Sequence, residues 1–194
     1  MLTPIDSLND GLNHNGRGTY IRFWHDPDWL TSHITRRWCI TSVGGGVIGE
    51  VKWYASWRKY AFFPGVATVY EEICLTEIAE FCKSRTMEHK GKPDMTLEPI
   101  TPPAVSWRSE GIEFRLDRGR ALPVGTYHWW IISTDYETNL GIVTWNTDRL
   151  RYVFHPDTEE SIITLDGFEL QSISAFCVAR SAEWHKDHPP GSKT

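Results

Sequence analysis

Apolar and polar residues alternate along several short stretches of this chain, each closed by turn residues, which is the pattern of half-buried strands. Residues 20–24 and 38–43 predict two strands, the second followed by a turn at Gly44, Gly45 and Gly46. Residues 48–54 and 57–63 predict a hairpin. Side chains alternate faces along a strand. Gly49, Val51 and Trp53 therefore share one face, and Arg58, Tyr60 and Phe62 share one face of the returning strand. The period then changes. Leu75, Ile78, Phe81 and Cys82 recur at helical spacing and predict a helix over residues 74–86, with Glu77 and Glu80 off its apolar stripe.

The same pattern returns. Gly49, Val51, Trp53, Tyr60, Phe62 and Pro64 fall on Gly141, Val143, Trp145, Tyr152, Phe154 and Pro156 without a gap. The same offset of 92 places Trp38 on Trp130 and Ile40 on Ile132, giving eight identities in 27 positions. Strands are predicted at residues 112–116 and 126–134 ahead of the second hairpin. Leu170, Ile173, Phe176 and Cys177 repeat the helical stripe, now offset by 95, because the preceding loop is three residues longer. Asp166 suits the N-cap of this helix, and Arg85 and Glu88 match Arg180 and Glu183. A helix with one apolar stripe has to cover a sheet. The expected fold is α+β: two tandem repeats, each about four antiparallel strands followed by one helix, related by a pseudo-two-fold. The expected boundaries are an arm at 1–17, repeats at 18–90 and 106–187, a Pro-rich linker at 91–105 and a mobile tail at 188–194.

Composition sharpens this picture in a few places. Ten tryptophans among 194 residues exceed the usual share, so large aromatics either fill the core or form stacking surfaces. A formal net charge of -5 gives no general attraction to duplex nucleic acid. No run of eighteen apolar residues is present to span a membrane, and the opening residues do not read as a secretory signal. Cys39, Cys74, Cys82 and Cys177 form no C-x-x-C pair, and reduced thiols of a cytoplasmic protein are expected.

The string from Gly49 to Pro64, GEVKWYASWRKYAFFP, followed by TVYEEICLTEIAEFC, resembles a widespread family of small uncharacterised proteins of bacteriophages and prophages. The resemblance covers about a fifth of the chain and rests on the motif VKW-x3-WR-x-Y-x-FFP. The second repeat departs from it, with Thr144 for Lys52, Arg149 for Trp57, Leu150 for Arg58 and His155 for Phe63. The resemblance implies a phage origin and the host-cell cytoplasm. It implies no reaction.

Chemistry is expected where the two copies differ. Lys52, Tyr54, Trp57 and Lys59 are predicted on the hairpin face opposite the shared positions, and Thr144, Asn146, Arg149 and Arg151 stand in their places. With Arg58, they make an aromatic and basic set suited to a base and its phosphate, since rings stack and cations neutralise. A solvated strand with long side chains would look the same. Basic turns at Arg36, Arg37 and at Arg115, Arg118, Arg120 read as surface ion pairs. His25-Asp26-x-Asp28 and His185-x-x-His188 lack a defined third ligand for zinc. No P-loop, G-x-S-x-G, G-x-G-x-x-G or H-E-x-x-H is present, and Glu71-Glu72 and Glu159-Glu160 have no partner base in reach by sequence.

These features lead to a non-catalytic, phage-type binding protein. Its expected role is counter-defence, sequestering a nucleotide-like immune signal without a cofactor or metal. The expected ligand site comprises Lys52, Tyr54, Trp57, Arg58, Lys59, Asn146, Arg149 and Arg151. One alternative is a protein-protein inhibitor of a host defence factor, presenting Glu71, Glu72, Glu77 and Glu80. Another is a phosphodiesterase of nucleotide signals, for which no catalytic set stands out. The sequence leaves oligomerisation open.

Overall fold

The computed structural model of this chain describes residues 3–4, 20–26, 28–31, 35–91, 108–109, 111–117, 126–158 and 163–189. The first repeat runs β1 (Thr3–Pro4), β2 (Ile21–His25), a short 3-10 turn (Asp28–Thr31), β3 (Arg37–Ser42), β4 (Val47–Tyr54), β5 (Lys59–Pro64) and α1 (Glu72–His89). The second runs β6 (Arg108–Ser109), β7 (Ile112–Asp117), β8 (His128–Ser133), β9 (Asn139–Asn146), β10 (Arg151–Pro156) and α2 (Gly167–Asp187). Each repeat forms one antiparallel sheet in sequential order, β1 to β5 and β6 to β10. The α+β tandem-repeat architecture is as expected. The edge strands β1 and β6, two residues each, carry no alternation that a sequence pattern could reveal, and β1 falls inside the expected arm. The rest of that arm lies outside the described residues. So do the linker beyond Gly91, the tail beyond Pro189, and Arg118, Arg120, Glu159 and Glu160.

Two details of the expected pattern are corrected. The tryptophan equivalent to Trp38 is Trp129, not Trp130. Trp38 pairs with Val51 and is buried, as Trp129 pairs with Val143 and is buried. Trp130 and Ile132 belong to the other face, with burial alternating along β8. The β8–β9 turn holds one residue more than the β3–β4 turn, so one offset cannot serve both sides of it. A slip of one residue exchanges the faces of a strand. With an offset of 91 ahead of that turn, Ile21 and Phe23 find counterparts in Ile112 and Phe114. Phe23 stacks on Phe81, and Phe114 on Phe176, each with ring centres 4.0 Å apart.

Residues 55–58 form the first hairpin turn, with Tyr54 opposite Lys59, so β5 begins two residues later than expected. Arg58 sits there at φ 51, and its counterpart Leu150 at φ 50, in the left-handed region. Arg58 is therefore a turn residue and shares no strand face with Tyr60 and Phe62. Helix α1 also overruns its expected ends on both sides.

The repeats join by a reciprocal exchange. The residue ahead of each helix's N-cap pairs with the last strand of the other sheet. Phe62 N–H donates to Leu165 O at 2.7 Å, and Leu165 N–H donates back at 2.9 Å. Tyr70 and Phe154 exchange the matching pair, both at 2.9 Å. The helices pack on each other. Thr76 and Ser174 hydroxyls meet at 2.8 Å, and Ser174 also donates to Glu72 O. Each helix is tied to its own sheet by a matched hydroxyl: Thr86 accepts from Tyr60 N–H at 2.8 Å, and Ser181 from Tyr152 N–H at 2.9 Å. One buried cluster runs through both repeats and includes Trp38, Phe62, Leu75 and Ile78 with Trp129, Phe154, Leu170 and Ile173. Trp53 and Trp145 pack against it from its partly buried margin, so they are less deeply set than their identity suggested.

Gly49 and Gly141 are shared for a steric reason. A Cβ on Gly49 would meet the Phe62 ring and Phe63 O at 2.6 Å. On Gly141, whose φ is 143, it would meet His155 O at 2.3 Å and the Phe154 ring at 2.7 Å. These are the aromatic residues at the repeat junction. Gly49→Ala and Gly141→Ala are each expected to lower stability by about 1–3 kcal/mol or more. Urea denaturation midpoints check this, and a midpoint unchanged in either variant contradicts it.

Candidate functional site

The expected site residues fall into two groups. Lys52 lies on the outer face of β4, pairs with Glu50 and stands 4.1 Å from the centre of the Phe63 ring. Tyr54 meets Trp57 edge to face, with ring centres 4.8 Å apart. Trp57 Nε1 donates to the hydroxyl of Tyr136 at 3.2 Å. Tyr136 belongs to the β8–β9 turn and is exposed, so Tyr54, Trp57 and Tyr136 make a surface cluster spanning the two repeats. Arg58 is exposed beside it.

The second group is basic and already engaged. Lys59 Nζ donates to Asp166 Oδ2 at 2.7 Å. Asp166 caps α2, accepting from the backbone N–H groups of Phe168 and Glu169, while the Glu169 carboxylate accepts from the Asp166 N–H. Arg151, the counterpart of Lys59, donates to Glu71 at 3.2 Å and Glu72 at 2.9 Å, at the start of α1. Arg149 also pairs with Glu71, and Asn146 accepts from Arg149 N–H at 2.9 Å within its turn. Each repeat thus holds a cation against the acidic start of the other repeat's helix. Acidic groups are favourable at a helix N-terminus. These pairs act as a latch, and they leave Lys59 and Arg151 neutralised rather than gathered around an anion.

Arg36, Arg37 and Arg115 are engaged too, and Arg37 and Arg115 lie in β3 and β7 rather than in the turns expected for them. Arg37 binds Asp26 through Nε at 3.0 Å and Nη2 at 2.5 Å, and Asp26 also accepts from the backbone of Asp28 and Trp29. Arg36 stands 3.6 Å from Glu88, and Arg115 stands 3.5 Å from Glu113. Burial pushes the thiols of Cys82 and Cys177 up, as suits inert core cysteines.

A cavity of about 320 Å³ opens at the far end of α2. Its floor and walls are Leu116, Trp129 and Tyr152 from the sheet and Tyr127 just ahead of β8. Arg180, Glu183, Trp184 and Asp187 come from the last turns of α2, and His188 from its C-cap. The scaffold beneath is common to both repeats. Tyr127 N–H donates to the Tyr152 hydroxyl at 3.1 Å, as Arg36 N–H does to Tyr60 at 3.2 Å. Arg180 pairs with Glu183 at 2.5 Å and lies over Phe176 and Trp129, as Arg85 pairs with Glu88 at 2.6 Å and lies over Phe81.

The lining differs where the copies diverge. Helix α1 ends at His89, the counterpart of Trp184, whereas α2 continues to Asp187. Trp184 lies 4.1 Å from Trp145 and stacks on His188 at 4.4 Å. His188 Nδ1 donates to Trp184 O at 3.0 Å, which holds its ring there. Tyr127 stands where the first repeat has Arg36, and about half of it is exposed. Sequence reasoning passed over this site. Its available signals were the non-identity of His89 and Trp184 and the His185-x-x-His188 spacing, which had been weighed only as a metal motif.

Compared with known proteins, the chain matches no family model, no curated protein and no solved structure.

The partly buried outer flank of α1 carries Glu77, whose Oε2 has no hydrogen-bond partner among the described residues. Burial, with a smaller contribution from Glu80, pushes its carboxyl up to about 7. An acid that is harder to ionise when folded costs no stability at low pH, where both states are protonated. The loss develops as pH rises from about 4.5, where the unfolded chain ionises, to about 7. Glu77→Gln is therefore expected to raise the Tm near pH 8 and leave it nearly unchanged near pH 4. Thermal melts at the two pH values test this; equal shifts at both would contradict it.

Proposed function

We propose that this is a non-catalytic binding protein whose ligand seats in the cavity at the end of α2. The observation that carries this reading is that the cavity is lined by four aromatic rings and is built where the second repeat departs from the first. Its volume is at the small end of ligand sites and suits a single planar ring system. Tyr127, Tyr152 and Trp184 supply apolar surface with polar edges, which is what a nucleobase-type ring requires. The nucleotide-like ligand expected from the sequence is retained in its base. Of the basic residues expected to hold a phosphate, Lys59, Arg149 and Arg151 belong to the latch at the opposite end of the helices, and Lys52 and Arg58 lie on the first hairpin. The resemblance to phage proteins supports a counter-defence setting in the host cytoplasm, with the bound molecule removed from circulation rather than chemically altered.

Titrating the protein with nucleosides and cyclic nucleotides, read by tryptophan fluorescence, tests this. A bound member of the panel should be recovered intact after heat denaturation. Trp184→His copies the residue of the first repeat and is expected to fold, while weakening binding at least about tenfold. Binding unchanged in that variant, or no binding by any of the panel, removes the cavity as the site.

A second reading has its own observation. Tyr54, Trp57 and Tyr136 form a partly exposed aromatic cluster, and aromatic clusters anchor protein partners. On this reading the protein inhibits a host factor through that face. Trp57→Ala is expected to cost about 1 kcal/mol or less of stability. It should nevertheless abolish retention of a stoichiometric partner in a pull-down from host lysate. Retention unaffected by Trp57→Ala excludes this face.

A further inference from the structure

We propose that the cavity at the end of α2 selects a planar organic cation. This rests on the reading of that cavity as the ligand site and adds the charge of the ligand. Duplication supplies the comparison. Around Glu88, the first repeat places two cations, Arg36 and Arg85, against one carboxylate. The second repeat has Tyr127 in place of Arg36 and adds Asp187 to the lining, so one cation, Arg180, faces two carboxylates, Glu183 and Asp187. Counted over these residues, the formal balance moves from +1 to -1, with Asp187 lying beyond the point that matches the end of α1. Arg180 is already paired with Glu183 at 2.5 Å. Asp187 has no ion pair among the described residues.

Asp187 is the last residue of α2. The end carbonyls of a helix carry a partial negative charge of roughly half an electron, so a carboxylate there is unfavourable for the helix itself. A carboxylate kept against that field, beside a cavity with aromatic walls, makes a negative seat for a cation. The ring faces add a further attraction for positive charge. His188 shows that a flat nitrogen ring fits this wall, since it stacks on Trp184 at an interplanar angle of 10°. The same seat disfavours phosphates and carboxylates, so in the panel of nucleosides and cyclic nucleotides a nucleoside is expected to bind and the corresponding cyclic nucleotide to bind more weakly.

Three probes of nearly one shape separate charge from shape: N-methylquinolinium, quinoline and a quinoline carboxylate. Isothermal titration of the full chain near neutral pH is expected to show the cation binding at least about tenfold tighter than the neutral ring. The anion should bind weakest. Asp187→Asn, at an exposed helix end, should fold and lower the affinity for the cation several-fold more than the affinity for quinoline. Equal or tighter binding of quinoline or of the anion overturns the cation proposal and leaves the cavity as a ring site. A ratio of cation to quinoline affinity that is undiminished in Asp187→Asn overturns the role given to this carboxylate. Binding of none of the three, together with no response of Trp184→His to nucleosides, removes the cavity reading and this inference with it.

Discussion

Four backbone hydrogen bonds make one molecule of two repeats: those between Phe62 and Leu165 and those between Tyr70 and Phe154. Each sheet ends on a strand, β5 or β10, whose outer edge would otherwise be open to pairing with another chain. The other repeat pairs with the middle of that edge through the residue ahead of its helix's N-cap. The start of each helix is thereby placed beside the other repeat's hairpin. Lys59 then reaches Asp166, and Arg151 reaches Glu71 and Glu72. Gly49 and Gly141 follow from the same constraint, since the junction residues Phe62 and Phe154 lay their rings where a Cβ would project. The shared core and the helix contact are consequences of this exchange, which brings the two apolar stripes together on one side.

Much of the fold was legible because the two repeats report on each other. Identities at Gly49, Val51, Tyr60 and Phe62 mark buried or sterically constrained positions, Trp53 and Pro64 are partly buried, and alternation told strand from helix. The mistakes have local causes. A single extra residue in the β8–β9 turn shifted the true counterpart of Trp38 by one place, and two coincident identities, Trp130 and Ile132, concealed it. Arg58 read as a strand residue because its left-handed turn geometry is set by the four-residue hairpin loop, and Leu150 gives no glycine signal there either. The strands β1 and β6 exist only through pairing with a neighbour, so no local pattern announces them.

The candidate site was less legible, and the reason is electrostatic. Lys59, Arg149 and Arg151 were read as available charge because a sequence shows charges without their partners. Their partners lie about 80 to 107 residues away along the chain, at the starts of helices. The aromatic part of the expectation fared differently. Tyr54 and Trp57 do lie together on the surface, and Tyr136 from the other repeat completes their cluster. A contact of that kind depends on the pseudo-two-fold placing a turn of one repeat over the hairpin of the other.

The two ends of each helix live under different constraints. The N-terminal ends lie at the junction, where a change in either repeat must suit the other. The C-terminal ends contact their own sheets, and α2 places its last residue roughly 30 Å from its first. That distance removes the cavity from the reciprocal bonds. Helix α2 could therefore extend past the point where α1 stops, exchange the counterpart of His89 for Trp184 and carry Asp187, without disturbing the exchange that joins the repeats. Duplication leaves one copy of the helix end as plain scaffold and the other open to change. In such a fold, a binding site is best sought where the symmetry fails far from the junction, because differences near the junction have to preserve the latch. Lys59 and Arg151 illustrate the second half of this rule. They differ in identity and keep the same charge, the same place and the same role.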